Sequence, residues 1–303
     1  MAQAQLTAPA PAAVRPKIPR GGAVANFFRE LARTKSGFGG FVLVMLIVGM
    51  AAIAPLVVNP DNPVDINSIW GAPSWAHPLG TDGNGQDTLK KVLLGGRTVI
   101  FVGLAAAVIT TAIAVALGSL AAYFRGWFDA AALQLTDIVM TIPQIVLLAV
   151  LGAFFRLDSP AYLALLIGVL SWPVLMRSIR AQVLSLKERE FVEAARLLDL
   201  GTARVVFVEI VPNMASYILI NFIIAVTNSI YVLVGMYLLG LAPLAGNNWG
   251  IMINDAWVRG AMFNPDALPY ILSPVAMIVL FQLGLILLTR SLEEILNPRL
   301  RDK

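Results

Sequence analysis

The chain has 303 residues, of which 58% are hydrophobic and 13% charged, against roughly 25% charged in an ordinary soluble domain. Its net charge of +4 does not point to nucleic acid, because the basic residues follow the loops and form no stripe. With no cysteine and a single histidine, His77, disulfides, thiolate catalysis and Cys-based metal sites are excluded, and one histidine cannot build a metal site alone.

In chain order, residues 1–36 are rich in Ala and Pro with scattered Arg and Lys, and read as a disordered basic tail. Six apolar runs follow, near Gly39–Val58, Thr98–Phe124, Ala130–Phe155, Ala161–Met176, Val211–Leu241 and Tyr270–Thr289. Crossing a bilayer takes about 20 apolar residues, so these predict six spans, the fourth being the shortest. Pro143, Pro173 and Pro274 lie inside them, where neighbouring helices can satisfy freed carbonyls. Basic residues ahead of Phe38–Ala54, with Ala52-Ile53-Ala54, imitate a secretory signal. Pro55 would follow the cut, however, and the run starts only at Phe38, so the first span is expected to stay uncleaved.

Charge sets the expected orientation. With the N-terminus inside, seventeen of the 22 basic residues fall in cytoplasmic segments, leaving Lys90, Lys91, Arg97, Arg156 and Arg259 outside. The positive-inside rule then places both termini and the charged loop 187–210 in the cytoplasm. The expected layout is a tail over 1–36, a first span with an extracytoplasmic loop over 37–97, a membrane domain over 98–290, and a cytoplasmic tail over 291–303.

The segment from Asn59 to Arg97 carries His77-Pro78-Leu79-Gly80-Thr81-Asp82 and then Gly83-Asn84-Gly85-Gln86-Asp87, a composition suited to tight turns. Its Asp-x-Asn-x-Gln spacing approaches a calcium loop. Asp87, however, stands where glycine is needed, and Leu93 where a bidentate glutamate is needed. In the second run Ala106, Thr110, Ala114, Gly118 and Ala122 recur every four residues, a small-residue face for close helix approach. That face serves either packing within the chain or contact with a partner or moving gate. The fifth run carries Asn221, Thr227, Asn228 and Ser229, which either line a water-filled path or bond neighbouring helices. Gln144 and Gln282 are weaker candidates of the same kind.

Ionisable residues are nearly absent from the runs, Asp137 being the clearest exception, so a buried proton relay is not expected. No lysine follows a glycine, which rules out a phosphate-binding Gly-Lys-Ser/Thr loop. Any ATP-driven work must therefore enter from another subunit. The segment from Arg189 to Asn213 offers a place for it: a small-residue helix face at Glu193-Ala194-Ala195, a break at Asp199-Leu200-Gly201, and an exit at Ile210-Val211-Pro212-Asn213, where proline suits a first turn.

This segment resembles the EAA loop of ABC importer permeases, matching at Glu193, Ala194, Ala195, Ile210, Pro212 and Asn213. One position departs: Asp199 stands where the family usually has glycine, and Gly201 follows two residues later. The pattern HPLGTDGNGQD, Gly95-Gly96-Arg97, Asn248-Trp249-Gly250 and Asn297-Pro298-Arg299-Leu300 extend the likeness to the C-type permease of dipeptide and oligopeptide (peptide/nickel) importers. In order, these motifs cover roughly residues 30 to 301.

The resemblance implies an all-α polytopic membrane protein of six transmembrane helices with the type I ABC importer permease fold, and no catalytic site. It implies a coupling face at Glu193, Ala194 and Ala195, with Arg189, Glu190 and Arg196 at its rim and Asp199 and Gly201 in the turn beyond. Its expected partners are a second homologous permease, one or two ATP-binding subunits holding ATP and magnesium, and an extracytoplasmic solute-binding protein. The chain itself would carry no cofactor and sit in lipid in a bacterial or archaeal cell membrane. Peptides are the implied substrate, with oligosaccharides or nickel carried elsewhere in the family. An ATP-independent transporter subunit and a membrane scaffold remain as readings from other classes. Scarce buried charge counts against the first, and the polar residues of the fifth run against the second.

Overall fold

The computed structural model describes residues 31–32, 34–154 and 159–296. Most of the basic tail, Phe155, Arg156 and the terminal Asn297-Pro298-Arg299-Leu300 lie outside these residues. The described chain is helical: α1 Lys35–Val57, α2 Thr88–Phe124, α3 Gly126–Thr141, α4 Gln144–Phe154, α5 Pro160–Leu186, α6 Glu190–Leu197, α7 Ala215–Leu238, α8 Trp249–Val258 and α9 Leu268–Leu296. Between α6 and α7 the backbone winds through a turn at Thr202–Arg204, a π-helical stretch at Val205–Ile210 and a further turn at Val211–Asn213. Among the described residues five helices are long and apolar enough to cross a membrane, and the bent pair α3–α4 makes a sixth if counted as one span.

Three spans depart furthest from the sequence expectation. The second span begins at Thr88 rather than Thr98, because the side chain of Asp87 caps the helix by accepting from Lys90 N at 3.0 Å. The fourth is the long helix Pro160–Leu186, which continues past Met176 through Arg177 and Arg180. The third run does not form one straight helix. Pro143 has no N–H to give, and the residue before a proline is driven out of the α region; Ile142 is extended (φ −92°, ψ 125°) and the two halves bend by 83°. Pro173 and Pro274, by contrast, sit within continuous helices.

The arrangement centres on α2, which runs parallel to α5 and antiparallel to α7. In lipid, apolar surface gains little by meeting other apolar surface, so close backbone approach carries the packing. Ala106, Thr110, Ala114, Gly118 and Ala122 are all buried. The hydroxyl of Thr110 donates to Gly168 O at 3.1 Å, and a Cβ on Gly118 would come within 2.7 Å of Met176 O. Of the two uses open to this face, the fold takes packing within the chain. A second close crossing joins α1 to α9, where a Cβ on Gly40 would stand 2.8 Å from Gly284 O. There Thr34 Oγ1 and Ser291 Oγ share a hydrogen bond of 2.6 Å. The start of α1 and the end of α9 therefore meet at the end of the bundle that also carries α6.

Candidate functional site

The α6 segment is short and amphipathic. Glu190 and Glu193 stand in its first turn and Arg196 in its last, signs that favour the helix dipole, whereas the charge of Arg189 at the N-cap opposes it. Val192 and Ala195 point inward and join the apolar cluster formed with Met176, Val205, Ile210 and Met214. Ala195 therefore does not belong to the outward face expected of the Glu193-Ala194-Ala195 triplet: a helix turns about 100° per residue, and fixing Val192 inward brings Ala195, three residues on, to the same side. The outward face is instead Glu193 and Ala194 beside Leu197 and Leu198, which are 83% and 74% exposed. Exposed leucines beside an acid, on a rigid support, make a surface suited to a protein partner.

The turn after α6 depends on Asp199. Its φ is +53°, in the left-handed region where glycine is the usual occupant. Asp199 N donates to Arg196 O at 2.9 Å and Leu200 N to Ala195 O at 3.2 Å, the paired bonds of a Schellman stop. Aspartate is among the few side chains that tolerate this conformation, so the departure from glycine leaves the turn intact. Gly201 has φ −53° and needs no such freedom.

Three contacts tie this segment to the end of α2. The guanidinium of Arg196 lies over the Tyr123 ring, 5.4 Å from its centroid. Arg125 pairs with Glu188 at 2.9 Å, an exposed bridge of small energetic weight. Lys187 is buried, and its Nζ donates to Ala122 O at 2.6 Å. That carbonyl is one of the last four of α2, which lack partners along the helix. Burial, helped by the nearby Arg125, pushes the Lys187 ammonium below the ordinary lysine value.

Asn221 and Asn228 open onto one cleft of about 100 Å³ between α5 and α7, shared with Thr110, Ser171 and Ser178. Asn221 Nδ2 donates to Tyr217 O of its own helix at 2.9 Å, and Asn228 is exposed. Among the described residues neither amide bonds another helix. Thr227 and Ser229 do not line this cleft: the Thr227 carbonyl accepts weakly from Gln282 Nε2 at 3.5 Å, and Ser229 is buried. Gln144 donates to Ser171 Oγ at 2.7 Å, joining α4 to α5.

At the opposite end, the HPLGTD segment folds around buried Asp82, whose Oδ1 accepts from Asn84 N at 2.8 Å and Gln86 N at 2.9 Å while its other oxygen binds the Lys91 ammonium. His77 Nδ1 meets Asp87 Oδ2 at 2.8 Å. Gly95 and Gly96 lie against the fully buried Trp249, whose Nε1 donates to Val92 O at 2.8 Å; a Cβ on Gly96 would reach the indole at 2.7 Å. Two motifs distant in sequence, Gly95-Gly96-Arg97 and Asn248-Trp249-Gly250, thus form one packing unit.

Residues 114–302 match the family described as binding-protein-dependent transport system inner membrane component. The chain belongs to that family. This permease is 33% identical over 237 residues to a protein of Brucella suis biovar 1 (strain 1330) provisionally named a peptide permease, covering 78% of each chain. It is 30% identical over 266 residues to the oligopeptide transport system permease protein OppC of Bacillus subtilis (strain 168), covering 86% of this chain and 85% of the relative. With the OppC of Mycobacterium tuberculosis (strain ATCC 25618 / H37Rv) it shares 29% over 263 residues, 86% of this chain and 89% of the relative. It is a multi-pass membrane subunit of an ABC importer, with the type I permease fold, and works as a transport permease rather than an enzyme.

Two ion pairs on the α6 side of this permease were not visible in the sequence. Arg180 grips Asp129 through both oxygens at 2.5 and 2.6 Å, and Arg177 pairs with Asp137, so both arginines clamp α3 to α5. A charge pattern along one helix does not reveal a partner on a different helix. The Lys187 contact was equally hidden, because the lysine sits among other charged residues of the loop and nothing along the chain marks its partner.

Proposed function

We propose that this permease forms half of a peptide translocation pathway, with a second homologous permease forming the other half. In this reading α6 is the lever on which one or two ATP-binding subunits act, and a solute-binding protein delivers cargo to the opposite end. Both termini and α6 face the cytoplasm of the cell membrane. Peptide cargo is supported by the names of the three relatives given above, which are peptide or oligopeptide permeases. Uncharged amides and hydroxyls in the Asn221–Asn228 cleft suit a passing peptide backbone, since they bond neutral polar groups without holding them tightly.

The observation that carries the coupling role is the geometry of α6. Its inner face is fixed by Val192 and Ala195, its end is stopped by Asp199, and Arg196 and Lys187 fasten the segment to α2. A push on Glu193, Ala194, Leu197 and Leu198 is then passed to a membrane helix rather than absorbed by a loop. The test is Glu193→Lys in the complex reconstituted with its ATPase partners. Glu193 is exposed, so insertion and expression should hold while peptide uptake and stimulated ATP hydrolysis both fall. Full uptake in that variant would remove Glu193 from the coupling role.

A further inference from the structure

Between α1, α2 and the start of α5 lies a groove of about 620 Å³. Ala51 and Ala52 of α1, Ile100 and Phe101 of α2 and Ala161 of α5 supply its apolar wall, while Arg97, Thr98 and Ser159 make its one polar end. Arg97 is exposed and, among the described residues, has no hydrogen-bond or ion-pair partner. Its depth follows from α2 itself. From Thr98 to Phe124 the helix has no charged residue, a stretch of about 40 Å at 1.5 Å per residue. The hydrocarbon core is about 30 Å thick, so Arg97 stands where α2 leaves the core and enters the headgroup layer.

We propose that this groove holds one anionic phospholipid, its phosphate on the Arg97 guanidinium and an acyl chain against Ala51, Ala52 and Phe101. The planar guanidinium matches phosphate oxygens in a bidentate fork, and at headgroup depth the alternative is a cation with no partner but water. A single acyl chain fits, and the small residues Ala51, Ala52 and Ala161 create the hollow for it.

The test uses the purified complex of this chain with its partner subunits, in detergent supplemented with either phosphatidylglycerol or phosphatidylcholine, read by native mass spectrometry. The wild-type complex should retain one phosphatidylglycerol in preference to phosphatidylcholine. Arg97→Gln should lower retention of phosphatidylglycerol about tenfold, to the phosphatidylcholine level, because one charged hydrogen-bonding partner is lost. In a second arm, a photoreactive residue at Ala52 with Arg97 left native should crosslink to phospholipid. Equal retention of the two lipids by the wild type, unchanged retention by Arg97→Gln, or an Ala52 crosslink to a protein subunit would each overturn the assignment.

Discussion

Lys187 and Ala122 are joined by a buried hydrogen bond of 2.6 Å, from the ammonium just past α5 to a carbonyl in the last turn of α2. The contact closes one of the open carbonyls at a helix end and fixes the root of the α6 segment to the longest helix of the bundle. Lys187→Met keeps the apolar stem and removes the donor, leaving the Ala122 carbonyl buried without a partner. The expected loss is about 1–3 kcal/mol, read as a lower melting midpoint of the purified complex. An unchanged midpoint would mean that the carbonyl is served by another group.

Asp199 gives a sharper test because its backbone, not its contacts, is in question. At φ +53° a β-branched side chain clashes with its own backbone, whereas glycine does not. Asp199→Gly should leave stability unchanged or raise it by up to about 1 kcal/mol, and Asp199→Val should lower it by about 1–2 kcal/mol. Thermal unfolding of the two variants side by side checks the order. If Asp199→Val were the more stable, the left-handed stop would be wrong.

Gly118 and Gly235 are both helical glycines, with opposite surroundings. A Cβ at Gly118 meets Met176 O at 2.7 Å, while one at Gly235 meets nothing within 4 Å. Gly118→Ala should therefore push α2 from α5 and cost about 1–3 kcal/mol. Gly235→Ala should be neutral or stabilising by up to about 1 kcal/mol, through helix propensity alone. Melting midpoints of the subunit carrying each substitution would separate the two.

For Asn221 and Asn228, replacement by leucine distinguishes transport from assembly. Neither amide reaches another helix among the described residues, so Asn221→Leu and Asn228→Leu should leave the yield of assembled complex intact. Uptake normalised to purified complex should fall in each, because a polar group on the wall of the cleft is lost. Lost assembly with unchanged uptake per complex would assign these residues to packing instead.

Much of this permease could be read along the chain. Burial in lipid is a property of local composition, so the positions of the apolar runs, the breaks between them and the charged segment holding Glu193 were all visible without coordinates. The small-residue stripe from Ala106 to Ala122 showed where a helix would come close, though not which one. The family likeness was carried by short ordered motifs that later proved to be packing units, such as Gly96 against Trp249.

Tertiary structure decided the rest, because it depends on which residues meet across long separations. Ala195 turned inward when α6 settled on the apolar cluster beneath it, a choice that its small size left open. Asp199 took the place expected of glycine because the paired bonds to Arg196 and Ala195 hold it there. Pro143 bent its span by 83° while Pro173 and Pro274 were absorbed, although all three look alike within an apolar run. Lys187 on Ala122, Arg180 on Asp129 and the groove beneath Arg97 each join elements that the sequence sets far apart. Hydropathy acts residue by residue and can be read in one dimension, but a hydrogen bond or a hollow needs two surfaces brought together, and only the fold brings them.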